Sequence, residues 1–232
     1  EETLSFVKRL VGLPGIEVQG IYTHFACADT LNDPYTQWQW QRFTWVLLEL
    51  EKAGIEIPLK HCANTAATLL MPETHLNLVR VGLGIYGLYP CPKTDELKVI
   101  DLKPVLSLHT QVLDLKRVPK GTAVSYGRNY VAWRDTTIAV LPIGYADGLL
   151  RRLQEKGVVL INGVKYPFAG RITMDHCMID VGDGAVEIGD QVTLIGTQGS
   201  AAITADDWAA WLDTINYEIP CMISERVVRI YR

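Results

Sequence analysis

Early in the chain an apolar run twice ends in a cluster of polar side chains and is followed by a helical pattern. Val18 to Phe25 ends on His24, Cys27 and Asp29. Ile55 to Lys60 ends on His61, Asn64 and Thr65. A third run, Leu76 to Val81, carries Arg80 and leads into the glycine-rich Gly82-Leu83-Gly84. Strand, polar end and helix in repetition build a parallel sheet covered by helices. In such folds ligand chemistry gathers at the carboxyl ends of the strands. His24, Asn64, Thr65 and Arg80 all stand at such ends. A closed barrel of this kind takes eight units in about 250 residues. The sequence shows about three here, so residues 1–100 read as part of a barrel.

The local signals are consistent with this. Leu4, Val7, Leu10 and Val11 fall at helical spacing and stop at Gly12. Asn32 or Asp33 caps a helix with Pro34 in its first turn, and that helix runs to Gly54. After the proline-bearing stretch Pro90 to Pro104 the rhythm changes. Short β patterns follow: Val105–Leu115, Thr136–Pro142, Val158–Ile161, Met178–Val181 and Gln191–Ile195, with a turn at Asn162-Gly163. Asp206 to Leu212 reads as a helix and Tyr217 to Arg232 as a closing strand. Residues 101–232 are therefore expected to form a mostly β domain. The fold class is α/β plus β.

Composition narrows the function. A net charge of −4 over 232 residues speaks against a nucleic-acid footprint. No apolar run is long enough to span a bilayer. The opening EETLSFVKRL lacks a signal-peptide pattern. Five scattered cysteines without a C-x-x-C pair suit free thiols in a reducing cytosol. Neither His24 nor His61 lies in a metal-ligand pattern, so no metal is expected.

The candidate side chains each have a plainer reading. His24 reads as a buried core histidine, and Asn64 with Thr65 as a helix cap. Tyr126 reads as a tyrosine packing its ring, since a phenol is a weak base unless cations stabilise its anion. Gly144-Tyr145-Ala146-Asp147-Gly148, followed by Arg151, and Gly170-Arg171-Ile172-Thr173-Met174-Asp175 read as turns with a cationic rim. Arg80 is a permanent donor beside glycines, whose backbone N–H groups suit a phosphate.

Taken together, THFACAD (23–29), HCANTAA (61–67), VRVGLGIYGLYP (79–90), SYGRNY (125–130), GYADG (144–148), GRITMD (170–175) and NYEIP (216–220) resemble the bacterial alanine racemases. Those enzymes use pyridoxal 5′-phosphate (PLP). The resemblance implies the C-terminal part of a PLP-binding (β/α)8 barrel, residues 1–100, followed by a β domain, residues 101–232. It implies a cytoplasmic homodimer with shared active sites that acts on alanine, the D-isomer serving peptidoglycan. Arg80 would contact the pyridine nitrogen, as a donor that cannot lend its proton. Asn64 joins the cofactor-binding set, and Thr65, Gly82, Leu83 and Tyr217 would hold the phosphate. His24 would support the ring. Tyr126 would be one of two bases and Met174 would offer a backbone N–H to the substrate carboxylate. Asp29, Tyr145, Arg151, Arg171 and Ile215 would line the access channel.

In that family the second base is a lysine that also bonds PLP, within a Lys-Ala-x-Ala-Tyr-Gly segment. No lysine here has that context, Lys93 and Lys98 included. The expectation is a C-terminal portion that does not racemise alanine alone. A serine racemase of the same family and a non-catalytic PLP-binding protein are the alternatives.

Overall fold

The structure, a computed structural model, describes residues 2–91 and 99–231. Lys93, Lys98 and the middle of the Pro90–Pro104 stretch lie outside the described residues. The chain divides into two compact units, Glu1–Pro104 and Val105–Arg232.

The first unit opens with helix α1, Glu2–Val11, then strand β1, Gly20–Tyr22. Helix α2, Pro34–Lys52, begins where Asp33 accepts a hydrogen bond from the Tyr35 N–H at 2.8 Å. Asn32 takes the left-handed turn before the cap, at φ 59°. Strand β2, Leu59–His61, pairs in parallel with β1, matching Tyr22 to His61. Helix α3, Thr65–Leu70, follows. Two turns of α2 separate Phe43 from Leu50. Phe43 packs in a cluster with Phe25, Cys62 and Ala66, and Leu50 in another with Val7 and Ile57. Trp38, Trp45 and Leu48 on the same helix stay exposed.

Two expectations need correction here. Both strands are shorter than the apolar runs that signalled them. Leu76 to Val81 is not a strand at all. The side chain of Asn77 donates to the Pro58 carbonyl at 2.6 Å and accepts from the Lys60 N–H at 2.8 Å. One side chain thus takes backbone groups at the start of β2, where a third strand would pair. Leu76, at φ 49°, breaks the extended run as well. The glycine stretch then forms a short 3₁₀ turn, Leu83–Tyr86.

The second unit is built on antiparallel sheet. Strands β3 (Leu108–Gln111), β4 (Asp114–Val118), β5 (Ala123–Val124), β6 (Tyr130–Val131) and β7 (Thr136–Leu141) come first. After helix α4 (Leu153–Lys156) come β8 (Val158–Ile161), β9 (Val164–Pro167), β10 (Cys177–Gly182), β11 (Gln191–Gln198) and β12 (Ala201–Ile203). Helices α5 (Ala205–Leu212) and α6 (Glu218–Met222) follow. One sheet has the order β10-β7-β4 and another β12-β11-β8-β9, with β3 also on β11. β5 and β6 form a separate ribbon.

Asn162 and Gly163 both have positive φ, 52° and 78°, which suits the tight turn between β8 and β9. Val159, Leu160 and Ile161 are fully buried, as expected of an unbroken apolar strand. Trp208 on α5 is buried too, and its Nε1 donates to the Leu194 carbonyl at 2.9 Å.

The expected closing strand from Tyr217 is also corrected. Its start is the helix α6, with Ile219 fully buried and Pro220 in the first turn, where proline is tolerated. Beyond it the Arg229 guanidinium donates to the carbonyls of Ile223, Ser224 and Val227, folding the segment on itself. The apolar Val228 and Ile230 remain exposed.

A carboxylate fastens the ribbon to the sheet. Asp180 on β10 accepts from the Tyr130 hydroxyl at 2.6 Å, the Gly182 N–H at 3.0 Å and the Thr136 hydroxyl. Burial alone pushes the Asp180 carboxyl up. The hydrogen bonds from Thr136, Tyr130 and Gly182, and the charge of Arg134, outweigh it and hold the group below its ordinary value. Burial, then Asp180 itself, pushes the Tyr130 phenol up. A carboxyl lowered in the folded state stabilises fully above its unfolded pKa of about 3.9, and that gain fades as pH falls toward the folded value. Asp180→Asn should therefore lower stability by about 1–2 kcal/mol at neutral pH, discounted for the solvent contact that remains. Urea denaturation should show the gap narrowing below about pH 4; a gap independent of pH would contradict this account.

Candidate functional site

In the first unit the site is built around Arg80. Its backbone N–H donates to the Ala63 carbonyl at 2.9 Å, which fixes the chain beside the end of β2. Its guanidinium donates to Nδ1 of His61, to Nδ1 of His24 at 3.0 Å and to the Thr23 carbonyl at 3.2 Å. A guanidinium has no acceptor, so both imidazoles accept through Nδ1 and carry their proton on Nε2. Burial and then the charge of Arg80 lower the His61 pKa, which keeps this ring neutral. The Tyr22 ring stacks on His61 at 5.1 Å, within 1° of parallel, and Arg80 lies 5.2 Å from the centre of the Tyr22 ring. Burial also raises the Cys62 thiol to about 11, against the opposing charge of Arg80. His24 is exposed, not the packed core histidine of the plainer reading.

Thr65 begins α3, and its hydroxyl accepts from the Gly82 N–H at 3.0 Å and the Gly84 N–H at 3.4 Å. Asn64 caps the same helix, its side chain accepting from the Ala67 N–H at 3.0 Å. The plainer cap reading thus holds for Asn64, while Thr65 reaches across to the glycine turn. A Cβ on Gly82 would meet nothing within 4 Å, and its φ of −101° lies outside the left-handed region. Asp29 stands in an exposed turn before α2.

In the second unit Tyr126, Tyr145, Arg151, Arg171 and Met174 line one pocket of about 560 Å³. Tyr126 sits between β5 and β6 in a strained loop. Ser125, Gly127 and Arg128 have φ of 64°, 72° and 53°. For the serine and the arginine such backbone costs about 1–3 kcal/mol each unless neighbours enforce it. The Ser125 hydroxyl donates to the Arg171 carbonyl at 2.8 Å, and the Arg128 N–H to the Ser125 carbonyl at 3.2 Å. Tyr126 is 73% exposed, so its ring is displayed instead of packed.

Opposite it, two turns interlock. The N–H groups of Tyr145 and Ala146 donate to the carbonyls of Thr173 and Met174 at 2.9 and 3.0 Å. The backbones come so close that a Cβ on Gly144 would fall 2.3 Å from both oxygens. Ile215 and Tyr217 precede α6, both exposed, and are not among the residues lining this pocket.

Sequence reasoning missed Tyr22, His176 and Arg226. In the apolar run Val18 to Phe25, Tyr22 stands two residues before His24, the spacing of one face of a strand, a signal that was available. His176 lines the pocket. Arg226 binds Asp147 and Asp175, which no local pattern reveals.

Comparison with known proteins decides the family. The family described as "Alanine racemase, C-terminal domain" matches residues 105–231, and "Alanine racemase, N-terminal domain" matches residues 1–90. The chain belongs to the alanine racemase family. The alanine racemase of Desulforamulus reducens is 45% identical over 100% of this chain and 62% of its own length. The crystal structure of alanine racemase from Bacillus anthracis with bound L-Ala-P is 44% identical, with a TM-score of 0.90, over 96% of this chain and 57% of that one. The Clostridium difficile alanine racemase in complex with cycloserine is 38% identical, with a TM-score of 0.91, over 98% of this chain and 60% of that one. The chain thus spans about three-fifths of the length of these alanine racemases. The fold matches the corresponding part of these alanine racemases, and the first unit, with one parallel pair of strands among the described residues, closes no barrel.

Two measurements test the first unit. Thr65→Val leaves two backbone N–H groups without their acceptor and should cost about 1–3 kcal/mol in denaturant melts, whereas Thr65→Ser should cost less than half of that. In Arg80→Gln the His61 pKa, followed by NMR, should rise part of the way to its ordinary value, because burial persists; no rise would mean that the guanidinium does not act on this ring.

Proposed function

We propose that this chain is part of a PLP-dependent racemase that interconverts L- and D-alanine by a two-base route, with D-alanine destined for peptidoglycan. The observation that carries the reading is the donor set of the first unit. Arg80 offers a permanent cation, and Thr65, Gly82 and Leu83 gather a hydroxyl and backbone N–H groups at the head of a turn. Gly82 is glycine where neither its φ nor its neighbours demand one, which leaves a backbone that a ligand can approach closely. This chemistry fits a phosphorylated pyridine.

Thr65, Gly82, Leu83 and, by family resemblance, Tyr217 are assigned to the phosphate. Arg80 is assigned to the ring nitrogen, with His24 and Asn64 supporting. Bound PLP supplies an electron sink that acidifies the Cα–H of an amino acid. With the cofactor bound, Arg80 would donate a hydrogen bond to the ring nitrogen while keeping its proton, which would moderate that sink and disfavour side reactions.

Racemisation needs a proton removed from one face of Cα and returned on the other. Tyr126 is assigned one of these transfers, its exposed ring lining the pocket. The Met174 N–H is assigned to the substrate carboxylate. Arg151 and Arg171 bring positive charge to the same pocket, which favours a carboxylate ligand. Asp29, Tyr145 and Ile215, with these arginines, are assigned to access. The opposing base, the lysine that would also bond PLP, is assigned to sequence outside residues 1–232, since no lysine here has the family context.

We also read the protein as a cytoplasmic homodimer with shared active sites. The free thiols of Cys27, Cys62, Cys177 and Cys221 suit a reducing compartment. No described helix is long and apolar enough to cross a membrane.

The test is to supply L-alanine and L-serine to the polypeptide in which this sequence occurs, loaded with PLP. Alanine should be racemised and serine much more slowly. Tyr126→Phe should lower kcat by about 10²–10⁴-fold, the range of a lost acid–base group. Residues 1–232 alone should show no turnover. Faster turnover of serine would select the serine racemase reading, and full activity of Tyr126→Phe would remove the tyrosine from the reaction.

A further inference from the structure

Three loops of the second unit converge on one side chain. The first is Gly144–Asp147, which carries Tyr145. The second is Thr173–His176, which carries Met174. The third is the turn after α6, Ser224–Arg226. The first two are already joined through the carbonyls of Thr173 and Met174. The third joins the first where the Ser224 N–H donates to the Asp147 carbonyl at 3.1 Å. Arg226 reaches the side chains of both turns. Its guanidinium donates to Asp175 Oδ1 at 2.7 Å, and its Nε lies 3.4 Å from Asp147 Oδ1. The other oxygen of Asp147 accepts from the Gly144 N–H at 2.9 Å, closing the first turn.

The two carboxylates are not equivalent. The Asp147 side chain is 12% exposed, so it needs polar partners. Asp175 is 48% exposed and would be solvated without an arginine. The exposed half of the bridge therefore adds little to stability. What it adds is geometry, because a planar guanidinium spans two carboxylates in a fixed relation, which an ammonium does not do. The residue it restrains, Asp175, directly follows Met174. The Thr173–His176 turn is also closed within itself, by Thr173 N–H and hydroxyl to the His176 carbonyl at 2.9 and 2.8 Å and by the His176 N–H to the Thr173 hydroxyl at 3.3 Å, and on its carbonyl side by Tyr145 and Ala146. These bonds hold the carbonyls of Thr173 and Met174, and the Arg226–Asp175 pair adds a side-chain tether one residue beyond them.

We propose that Arg226 is a positioning residue for ligand binding. By clamping Asp175 to Asp147, it tightens the Met174 turn, already held through its carbonyls, that lines the pocket with Tyr145. This rests on the assignment of the Met174 N–H to a substrate carboxylate, and it makes the turn after α6 part of the binding apparatus although Arg226 itself does not line the pocket.

The test uses the complete PLP-loaded protein and the variants Arg226→Lys, Asp175→Asn and their combination. Arg226→Lys keeps a cation beside Asp147 while losing the span. Each single variant should raise KM for alanine about tenfold with kcat within about twofold, and the double variant should be no worse than the poorer single, as expected of one shared interaction. Hydrogen exchange should quicken in the peptide covering residues 170–176 and stay unchanged in β8 and β9. Additive effects on KM, or a fall in kcat with KM unchanged, would overturn the proposal, as would unchanged exchange in that peptide. If the wild-type protein racemised neither amino acid, the functional reading would fall, while the exchange measurement would still decide whether Arg226 holds the turn.

Discussion

The guanidinium of Arg80 is the interaction on which the first unit's chemistry depends. It stands where both strands end and binds something from each: the Thr23 carbonyl and His24 beyond β1, and His61 on β2. Because the group cannot act as an acceptor, it dictates the tautomers of two histidines at once. Because it is charged, it adds to burial in keeping His61 neutral. The two rings thereby serve as acceptors that aim a cation. The stacking of Tyr22 on His61 extends the same arrangement by one more planar group.

The second unit solves a different problem. Its site lies on loops, and loops are mobile unless tied down. The ties are carboxylates and carbonyls placed to accept several donors. Asp180 gathers two hydroxyls and a backbone N–H, and thereby anchors the ribbon that ends the Tyr126 loop. Asp147 accepts from the backbone of its own turn while facing Arg226. Gly144 lets two turns approach to a distance at which any side chain would collide with carbonyl oxygens. A pocket wall made of irregular backbone is held in this way without a strand or helix beneath each residue.

This division explains what was legible in the sequence. Signals that act over a few residues were sound: the Asp33-Pro34 helix start, the Asn162-Gly163 turn and the unbroken apolar β8. The apolar runs at Leu76 and Tyr217 misled because side chains there bond backbone groups that a strand would pair. Asn77 satisfies β2 with a side chain, and Arg229 folds the last segment upon itself with three carbonyls. Neither event leaves a periodic trace. The same holds for the site. Arg80, Thr65 and the second-unit pocket residues other than His176 lie in or beside short motifs, whereas Arg226 matters only because Asp147 and Asp175, far apart in sequence, meet at its fork.

The Tyr126 loop shows how a residue with a plainer reading can be separated from it by physics alone. A tyrosine kept for packing would bury its ring on a relaxed backbone. Here the ring is 73% exposed, and the residue before it holds a φ of 64° with a side chain that glycine would spare. Arg128, at 53°, adds a second unfavourable position. Folding tolerates such conformations only where surrounding contacts over-determine them, and the Ser125 hydroxyl bonded to the Arg171 carbonyl is one such contact. That bond links the strain to the GRITMD turn, so the backbone that displays Tyr126 and the backbone that presents Met174 constrain each other. The cost falls on a loop whose side chain faces a pocket, which is where a structure gains from holding a group in place before any ligand arrives.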